Sequence, residues 1–283
     1  MMIKSGWVKS LRLRLLFFVG FLCSGLIFNY NLGIPAANFS NFYDWCLAQE
    51  TLSQDTQKTV KALLNKVGTQ DCQQANKILS STTGINLTNT EISDLRPIGS
   101  LKKLSRLVLN KNKISDLTPL VNLESLTILR IAANQISDLK PLASMTQLSQ
   151  LVLSDNQVSD LSPLSGLINL TLLNLNNNQV SDLQPLNSLS RLTELSLADN
   201  QISDLSSLAA MAEITELNLQ SNQIKDIRPL QALKKLSELN LNNNQISNAN
   251  ALMTLPNLTE VYLHGNPVAN QICPQNPEAF CFI

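Results

Sequence analysis

A 22-residue repeat runs through residues 104–266 and constrains the fold of this chain more than any other feature. The copy that begins at Leu104 has leucines at its first, fourth and sixth positions and an asparagine at its ninth. Seven further copies follow at the same interval, and a weaker copy begins at Thr82. Because a fixed period of this length is typical of solenoids, the sequence predicts about nine stacked units.

The positions within one unit predict a short strand followed by a tight turn. Leu107 and Leu109 flank Val108, and this alternation of inward and outward side chains is typical of a strand. Apolar residues then recur every three positions from Ile114 to Leu123, which fits a 3₁₀-like turn. One such strand cannot bury its apolar side alone, so the stacked units are expected to form a parallel sheet over one continuous core.

The L-x-x-L-x-L-x-x-N pattern resembles the leucine-rich repeat family. The 22-residue period, with its Ile-Ser-Asp-Leu-x-Pro-Leu segment, is similar to the internalin-type class of that family. This class occurs in bacterial secreted proteins, and a related branch comprises intracellular phosphatase regulators. The resemblance implies an α/β solenoid with a parallel sheet on its concave face, and it implies that partners bind to that face.

The ninth-position asparagines are predicted to be structural. An amide side chain both donates and accepts hydrogen bonds, so it can satisfy backbone groups inside each coil. The predicted ladder consists of Asn112, Asn134, Asn156, Asn178, Asn200, Asn222, Asn244 and Asn266.

An aspartate recurs at the thirteenth position of most units. These residues are Asp94, Asp116, Asp138, Asp160, Asp182, Asp204 and Asp226, with Asn248 in the next copy. Aligned carboxylates could bind Ca²⁺, but one aspartate per unit offers too few of the six to eight ligands that Ca²⁺ takes. We therefore expect each aspartate to cap the turn that follows it.

Residues 1–37 resemble a secretory signal rather than part of the fold. Basic residues precede an apolar run over residues 15–28, and small residues follow it. The run is shorter than the roughly 20 residues of a full membrane span, although an uncleaved signal anchor remains the alternative. The prediction is therefore a secreted, periplasmic or cell-surface protein, with membrane contact only through an uncleaved signal segment.

Residues 38–81 are predicted to form a helical N-terminal cap. Val60, Leu63 and Leu64 lie at near-helical spacing, with Ser53 as the N-cap and Gly68 as the stop signal. A second helix is expected over residues 71–79. The repeats then occupy residues 82–266, and residues 267–283 form a short C-terminal cap.

An aromatic and apolar cluster precedes the first predicted helix of the cap. We expect Phe42, Tyr43, Trp45 and Leu47 to cover the end of the repeat core, because large apolar side chains are usually buried. The alternative is that this cluster is a platform for a ligand.

Four cysteines lie outside the predicted signal segment: Cys46, Cys72, Cys273 and Cys281. Nine strands stacked about 4.8 Å apart separate the two caps by about 40 Å. A disulfide requires Cα atoms within about 7 Å, so Cys46 should pair with Cys72 and Cys273 with Cys281. Export would supply the oxidising compartment that both bonds need.

A Trp-Cys segment near the start and a Cys-Pro segment near the end resemble the caps of exported cyanobacterial leucine-rich repeat proteins.

The third and fifth positions of each unit should face outward on the concave sheet. We predict an exposed apolar patch of Val108, Ile128, Val152 and Leu172, bordered by Arg106 and Arg130, because such patches with polar rims tend to be interaction sites. Four glutamates then follow on consecutive strands, with a tyrosine beside the last of them: Glu194, Glu216, Glu238, Glu260 and Tyr262. The glutamates either form a solvated face or bind a cationic partner.

The sequence predicts no catalytic site, no metal site and no cofactor. The only histidine, His264, has no obvious nucleophile beside it, and no phosphate-binding loop is present. A net charge of zero gives no general attraction to nucleic acid.

These observations predict an exported, non-catalytic scaffold that binds a protein or peptide on its concave face. A glycan- or envelope-binding module is the alternative, and it would use the asparagine-rich strands together with Tyr262. Its weakness is the shortage of aromatic residues, which make up 5% of the chain. A phosphatase-regulator role fits the period but conflicts with the signal segment and the cap cysteines.

Overall fold

The computed structural model describes residues 39–268 and 280–282, and these residues build a solenoid with a single parallel sheet. Its strands are paired in sequence order, each with the next. They are β1 Gly84–Asn86, β2 Arg106–Val108, β3 Ile128–Arg130, β4 Gln150–Val152, β5 Leu172–Asn174, β6 Glu194–Ser196, β7 Glu216–Asn218, β8 Glu238–Asn240, β9 Glu260–Tyr262 and β10 Phe280–Phe282.

The repeat leucines form one continuous core behind this sheet. Leu107 and Leu109 are fully buried, as are Ile114 and Leu120 on the back of the same coil. Burying an apolar side chain of this size contributes about 1.5–3 kcal/mol, and every unit repeats the arrangement. The predicted fold class is therefore confirmed.

The back of most coils is a short 3₁₀ turn, as the three-residue spacing predicted. These turns are Thr118–Leu120, Lys140–Leu142, Ser162–Leu164, Gln184–Leu186, Ser206–Ala210, Arg228–Ala232 and Asn250–Thr254. In the first unit a one-turn α-helix, Arg96–Gly99, takes their place.

The repeated aspartates precede these turns by two residues. The Asp116 carboxylate accepts the backbone N–H of Thr118 at 2.8 Å, while Leu117 occupies the N-cap position itself.

The ninth-position asparagines bind the backbone inside the coils. Asn178 Nδ2 donates to the carbonyl oxygens of Leu153, Leu175 and Asn176 at 3.0–3.1 Å. Its Oδ1 accepts the N–H of Val158 at 2.9 Å. One side chain thus ties its own turn to the preceding coil, and the other ladder asparagines make the same kind of contact.

A left-handed backbone residue at the eighth position turns the chain out of most strands. Lys111, Asn177 and Asn243 have φ of 57°, 53° and 56° there. In the ninth unit this position is Gly265, with φ of 76°, and a Cβ on it would lie 2.3 Å from Asn243 Oδ1. Other units carry non-glycine residues in this conformation, so the close contact with Asn243, more than the conformation, favours glycine here.

The N-terminal cap contains three α-helices before the first strand. They are α1 Phe42–Leu47, α2 Gln54–Val67 and α3 Cys72–Leu79. Ser53 caps α2 through its side chain, and Gly68 ends the helix in the left-handed conformation. The Asp71 side chain caps α3. Cys46 and Cys72 form a disulfide that joins α1 to α3, with 5.6 Å between their Cα atoms.

Two expectations for the cap need correction. The Trp-Cys segment lies inside α1, a helix that the sequence pattern did not predict. Phe42 and Trp45 are buried, but Tyr43 is 38% and Leu47 63% exposed. Tyr43 and Leu47 lie one turn apart on this six-residue helix, so they share a face directed away from the core.

A part-buried ion pair joins the cap to the first repeat. The Arg96 guanidinium donates to Asp94 at 2.7–3.0 Å, and Arg96 also donates to the Thr56 hydroxyl on α2. Thr59 Oγ1 donates to the Asp94 carbonyl oxygen at 2.7 Å. Burial opposes ionisation of Asp94, but hydrogen bonds from Arg96 and Thr56 outweigh it and lower its pKa.

Asp94→Asn is expected to destabilise the cap by about 1–3 kcal/mol at pH 7, because it removes charge-assisted hydrogen bonds from a part-buried pair. The folded-state pKa of Asp94 lies below its unfolded value, so its contribution is present above about pH 4 and is lost as the pH falls through the folded pKa. The difference between variant and parent should therefore shrink below pH 4. Urea unfolding at several pH values, followed by tryptophan fluorescence, measures it.

Asp226→Asn provides a matched control, because Asp226 and Arg228 repeat the same Asp-x-Arg-Pro arrangement in the seventh unit. That pair is exposed, with side-chain exposures of 48% and 82%, so solvent screens it. If Asp226→Asn lowers the free energy of unfolding as much as Asp94→Asn does, burial does not strengthen the ion pair at Asp94.

The C-terminal end contains a strand that the repeat pattern did not predict. β10 pairs with β9 in parallel, with Phe282 beside Tyr262.

Cys273 lies outside the described residues, so the expected Cys273–Cys281 bond remains a prediction. The predicted signal segment also lies outside them. Among the helices that are described, none is long and apolar enough to cross a membrane.

Candidate functional site

Outward side chains on the strands form two parallel rows across the sheet. The third-position row contains Arg106, Ile128, Gln150, Leu172, Glu194, Glu216, Glu238 and Glu260 in register. The fifth-position row contains Asn86, Val108, Arg130, Val152, Asn174, Ser196, Asn218, Asn240 and Tyr262. Members of one row lie about 4.8 Å apart, because that is the spacing of paired strands.

The N-terminal half of the face is less apolar and less exposed than the sequence predicted. Ile128, Val152 and Leu172 are half-buried, and Gln150 separates Ile128 from Leu172 in their row. Val108 is only 8% exposed, so its inclusion in an exposed patch was wrong. Its neighbours in the row are Asn86 and Arg130, which flank it on both sides.

The two predicted arginines differ in their surroundings. Arg106 is exposed and lies beside Gly84 of β1. Arg130 is half-buried and its Nη2 donates to Gln150 Oε1 at 3.2 Å, while its Nε is buried without a partner among the described residues. Arg106 is therefore the more accessible of the two guanidinium groups.

The C-terminal half of the face is acidic. Glu194, Glu216 and Glu238 are exposed, and Glu260 is half-buried. Partial burial of Glu238, and then the charges of Glu216 and Glu260, raise the pKa of Glu238. The ion pairs formed by the described residues include none of these four carboxylates. Their mutual repulsion is thus relieved mainly by solvent.

A shallow depression of about 240 Å³ lies on this face from β5 to β8. Its lining residues are Leu172, Leu173, Asn174, Glu194, Leu195, Ser196, Glu216, Leu217, Asn218, Glu238 and Asn240. Leu172 and three of the predicted glutamates therefore come together in one concavity. The remaining predicted residues of the N-terminal half lie outside it.

Polar side chains of the fifth-position row complete the depression. The Oδ1 atoms of Asn174, Asn218 and Asn240 each accept the backbone N–H two residues further on, at 3.1 Å. Ser196 Oγ donates to Asn176 Oδ1 at 2.8 Å. The protein-binding prediction omitted these four residues, although their fifth-position spacing beside the glutamates could have identified them.

An aromatic pair ends the acidic half. The rings of Tyr262 and Phe282 stack with centroids 4.9 Å apart and planes 7° apart. Tyr262 donates its hydroxyl proton to Glu260 at 2.9 Å, and this hydrogen bond raises the pKa of Tyr262. Phe282 is 49% exposed. One face of the predicted Tyr262 platform is therefore covered, and Phe282 is the more accessible ring.

No group of three potential metal ligands occurs among the residues with described positions. His264 is exposed, and its carbonyl oxygen accepts the N–H of Asn243. The face thus offers carboxylates, amides and apolar side chains for non-covalent binding.

Comparison with known proteins agrees with this architecture. A family profile described as Leucine Rich repeats (2 copies) matches residues 124–166, 168–210 and 213–252. Internalin C2 from Listeria monocytogenes is 35% identical over 72% of this chain and 91% of its own, with a TM-score of 0.68. The chain belongs to the internalin-like leucine-rich repeat proteins.

More distant similarities of this internalin-like chain were also found. An internalin (inlF) from Listeria monocytogenes is 26% identical over 74% of this chain and 82% of its own, with a TM-score of 0.48. The ectodomain of the Arabidopsis thaliana receptor kinase GASSHO1/SCHENGEN3, solved in complex with CASPARIAN STRIP INTEGRITY FACTOR 2, is 24% identical, with a TM-score of 0.61. This match covers 69% of this chain and 25% of the ectodomain, and it shows the shared fold alone. No curated protein sequence matches the chain.

Proposed function

We propose that this protein is an exported, non-catalytic scaffold that binds a protein or peptide on its concave face. The observation that carries the proposal is the depression over β5–β8, which combines an apolar edge at Leu172 with the carboxylates of three glutamates. Solenoids of this kind commonly use their concave surface for binding, because stacked units present an extended and rigid sheet.

The charge distribution along the sheet supports an oriented partner. Arg106 and Arg130 lie towards one end, and the row Glu194 to Glu260 towards the other. Ile128 shares β3 with Arg130, and Leu172 on β5 lies between the arginines and the glutamates. A partner segment with complementary charges would bind in one direction, since electrostatic complementarity contributes specificity and speeds association.

Export is supported by the Cys46–Cys72 disulfide, because such bonds persist in oxidising compartments. The basic and apolar pattern of residues 1–37 favours the same compartment. On this proposal residues 38–81 and 267–283 cap the repeats of residues 82–266. The intact mass of protein recovered from the envelope or medium distinguishes a cleaved signal from a retained anchor.

The central experiment is capture from envelope extract by immobilised protein, read by mass spectrometry and repeated with a substituted face. Ile128→Ser/Leu172→Ser removes the two apolar side chains without adding charge. We expect it to weaken binding of the captured partner tenfold or more, which corresponds to about 1.4 kcal/mol.

Val121→Ser/Ile168→Ser is the matched control, because these apolar residues are 38% and 54% exposed outside both sheet rows. The control should bind like the parent, and circular dichroism should show that both variants are folded. If the two variants bind equally well, the apolar side chains of the concave face do not contact the partner, and the proposal is contradicted.

A glycan-binding module is the second candidate, and the exposed ring of Phe282 beside Tyr262 favours it. Aromatic faces commonly pack against apolar ligand surfaces. A glycan array probed with the same immobilised protein tests this function, and Phe282→Ala should abolish any signal that depends on the ring.

A further inference from the structure

The acidic half of the sheet carries a regular charge pattern that ion pairs among the described residues do not neutralise. Glu194, Glu216, Glu238 and Glu260 occupy the same register position on four adjacent strands. Like charges at this spacing repel each other, and cations placed between them would relieve that repulsion. Lysine and arginine side chains of a partner chain can supply such cations, since they form charge-assisted hydrogen bonds with carboxylates.

The spacing of these glutamates suggests how a partner chain would carry its cations. One cation can lie between Glu194 and Glu216, and a second between Glu238 and Glu260. The two midpoints are two strands apart, or about 9.6 Å. A polyproline II segment advances about 3.1 Å per residue, so side chains three residues apart are separated by about 9.3 Å and share one face.

The fifth-position row supplies groups for the backbone of such a segment. The Oδ1 atoms of Asn174 and Asn218 are engaged with their own backbone. Their amide nitrogens form no hydrogen bond with any other described residue, so both can donate to peptide carbonyl oxygens. A polyproline II backbone has no internal hydrogen bonds and leaves its carbonyl oxygens available.

The aromatic pair at the end of the row favours the same chemistry. The Tyr262 hydroxyl donates to Glu260, and the stacked Phe282 ring remains half exposed. Aromatic faces attract lysine and arginine side chains through cation–π interactions. Carboxylates and aromatic faces that both favour cations therefore lie next to each other at this end of the sheet.

We propose that the acidic half of the concave face binds an extended, polyproline II-like segment with basic residues three positions apart. Each lysine or arginine lies between two glutamates, and the segment runs across the sheet from Asn174 on β5 to Glu260 on β9. This inference rests on the proposed scaffold function and adds the chemical class of the partner and its spacing.

The probes are two fluorescein-labelled peptides of the same composition, one containing Lys-Pro-Pro-Lys and the other Lys-Lys-Pro-Pro. Fluorescence anisotropy with the full chain in low salt should show about tenfold tighter binding of the first peptide. Raising the NaCl concentration from about 50 to about 500 mM should weaken that binding, because exposed charges are screened. Equal affinities, or no binding of either peptide, would overturn the proposal.

Glu216→Gln/Glu238→Gln removes one carboxylate from each pair and should reduce affinity for the Lys-Pro-Pro-Lys peptide about tenfold. Glu50→Gln/Glu124→Gln removes the same charge from exposed positions outside the row and should leave the affinity unchanged. An equal loss of affinity in both variants would indicate a general charge effect and would contradict the proposed binding site. The scaffold function would survive that result if Ile128→Ser/Leu172→Ser still lost its envelope partner.

Discussion

Asn178→Leu is expected to lower the free energy of unfolding by about 1–3 kcal/mol, because it leaves the buried N–H of Val158 without a partner. The Asn178 side chain forms four hydrogen bonds that join two coils. The N–H of Val158 has no other acceptor among the described hydrogen bonds. The three carbonyl oxygens each keep another donor, which is Asn156 for Leu153, Asn200 for Leu175 and Asp155 for Asn176. Leucine has a similar size but can replace none of these bonds. Urea unfolding followed by circular dichroism measures the loss.

Gln179→Ala is the control for this substitution, because Gln179 is exposed and contributes only its backbone N–H, to Val158. It should change the unfolding midpoint little. If Asn178→Leu unfolds like the parent, the ladder does not stabilise the coils. Hydrogen exchange provides a second measurement, and protection of the Val158 amide should fall in the leucine variant.

Cys46→Ser/Cys72→Ser is expected to destabilise the N-terminal cap by about 3.5 kcal/mol. The bond closes a sequence separation of 26 residues, and the chain-entropy relation gives this value for a loop of that size. Because each unit of a solenoid contacts only its neighbours, the loss should begin at the cap and spread into the first repeats. Hydrogen exchange read by mass spectrometry should show lost protection in α1–α3 and β1, with β6–β9 unchanged.

Two comparisons make this disulfide prediction specific. Treating the parent protein with a reductant should reproduce the pattern of the double variant. Uniform loss of protection along the array would show that the repeats unfold as one unit and would contradict nearest-neighbour coupling. Unchanged protection in the cap would show that the buried side chains of Phe42 and Trp45 hold α1 without the bond.

The repeats could be predicted from sequence because each position has the same task in every unit. Leu107 and its equivalents must be buried, and Asn112 and its equivalents must satisfy the turn, so the same residue types recur. Because each unit packs on a copy of itself, the pattern within one unit also predicts the contacts between units. The capping signals at Ser53 and Gly68 were equally local and marked the ends of α2.

The ends of the array were harder to predict, since their contacts are not repeated. Helix α1 has only six residues, and the disulfide and the packing of Trp45 stabilise it more than its own propensity. Strand β10 follows no repeat pattern and exists through pairing with β9. In both elements, residues distant in sequence supply the stabilising contacts.

The candidate site divides in the same way. The alignment of the four glutamates followed from the period alone, because in-register units place equal positions side by side. The exposure of each side chain did not follow, and Val108 is covered while Leu172 borders a depression. The sequence by itself thus determined the solenoid, its register and the order of charges along the sheet. Only the tertiary structure decided which of those side chains a partner can reach, because accessibility depends on neighbouring strands and on the cap helices and β10 that close the ends.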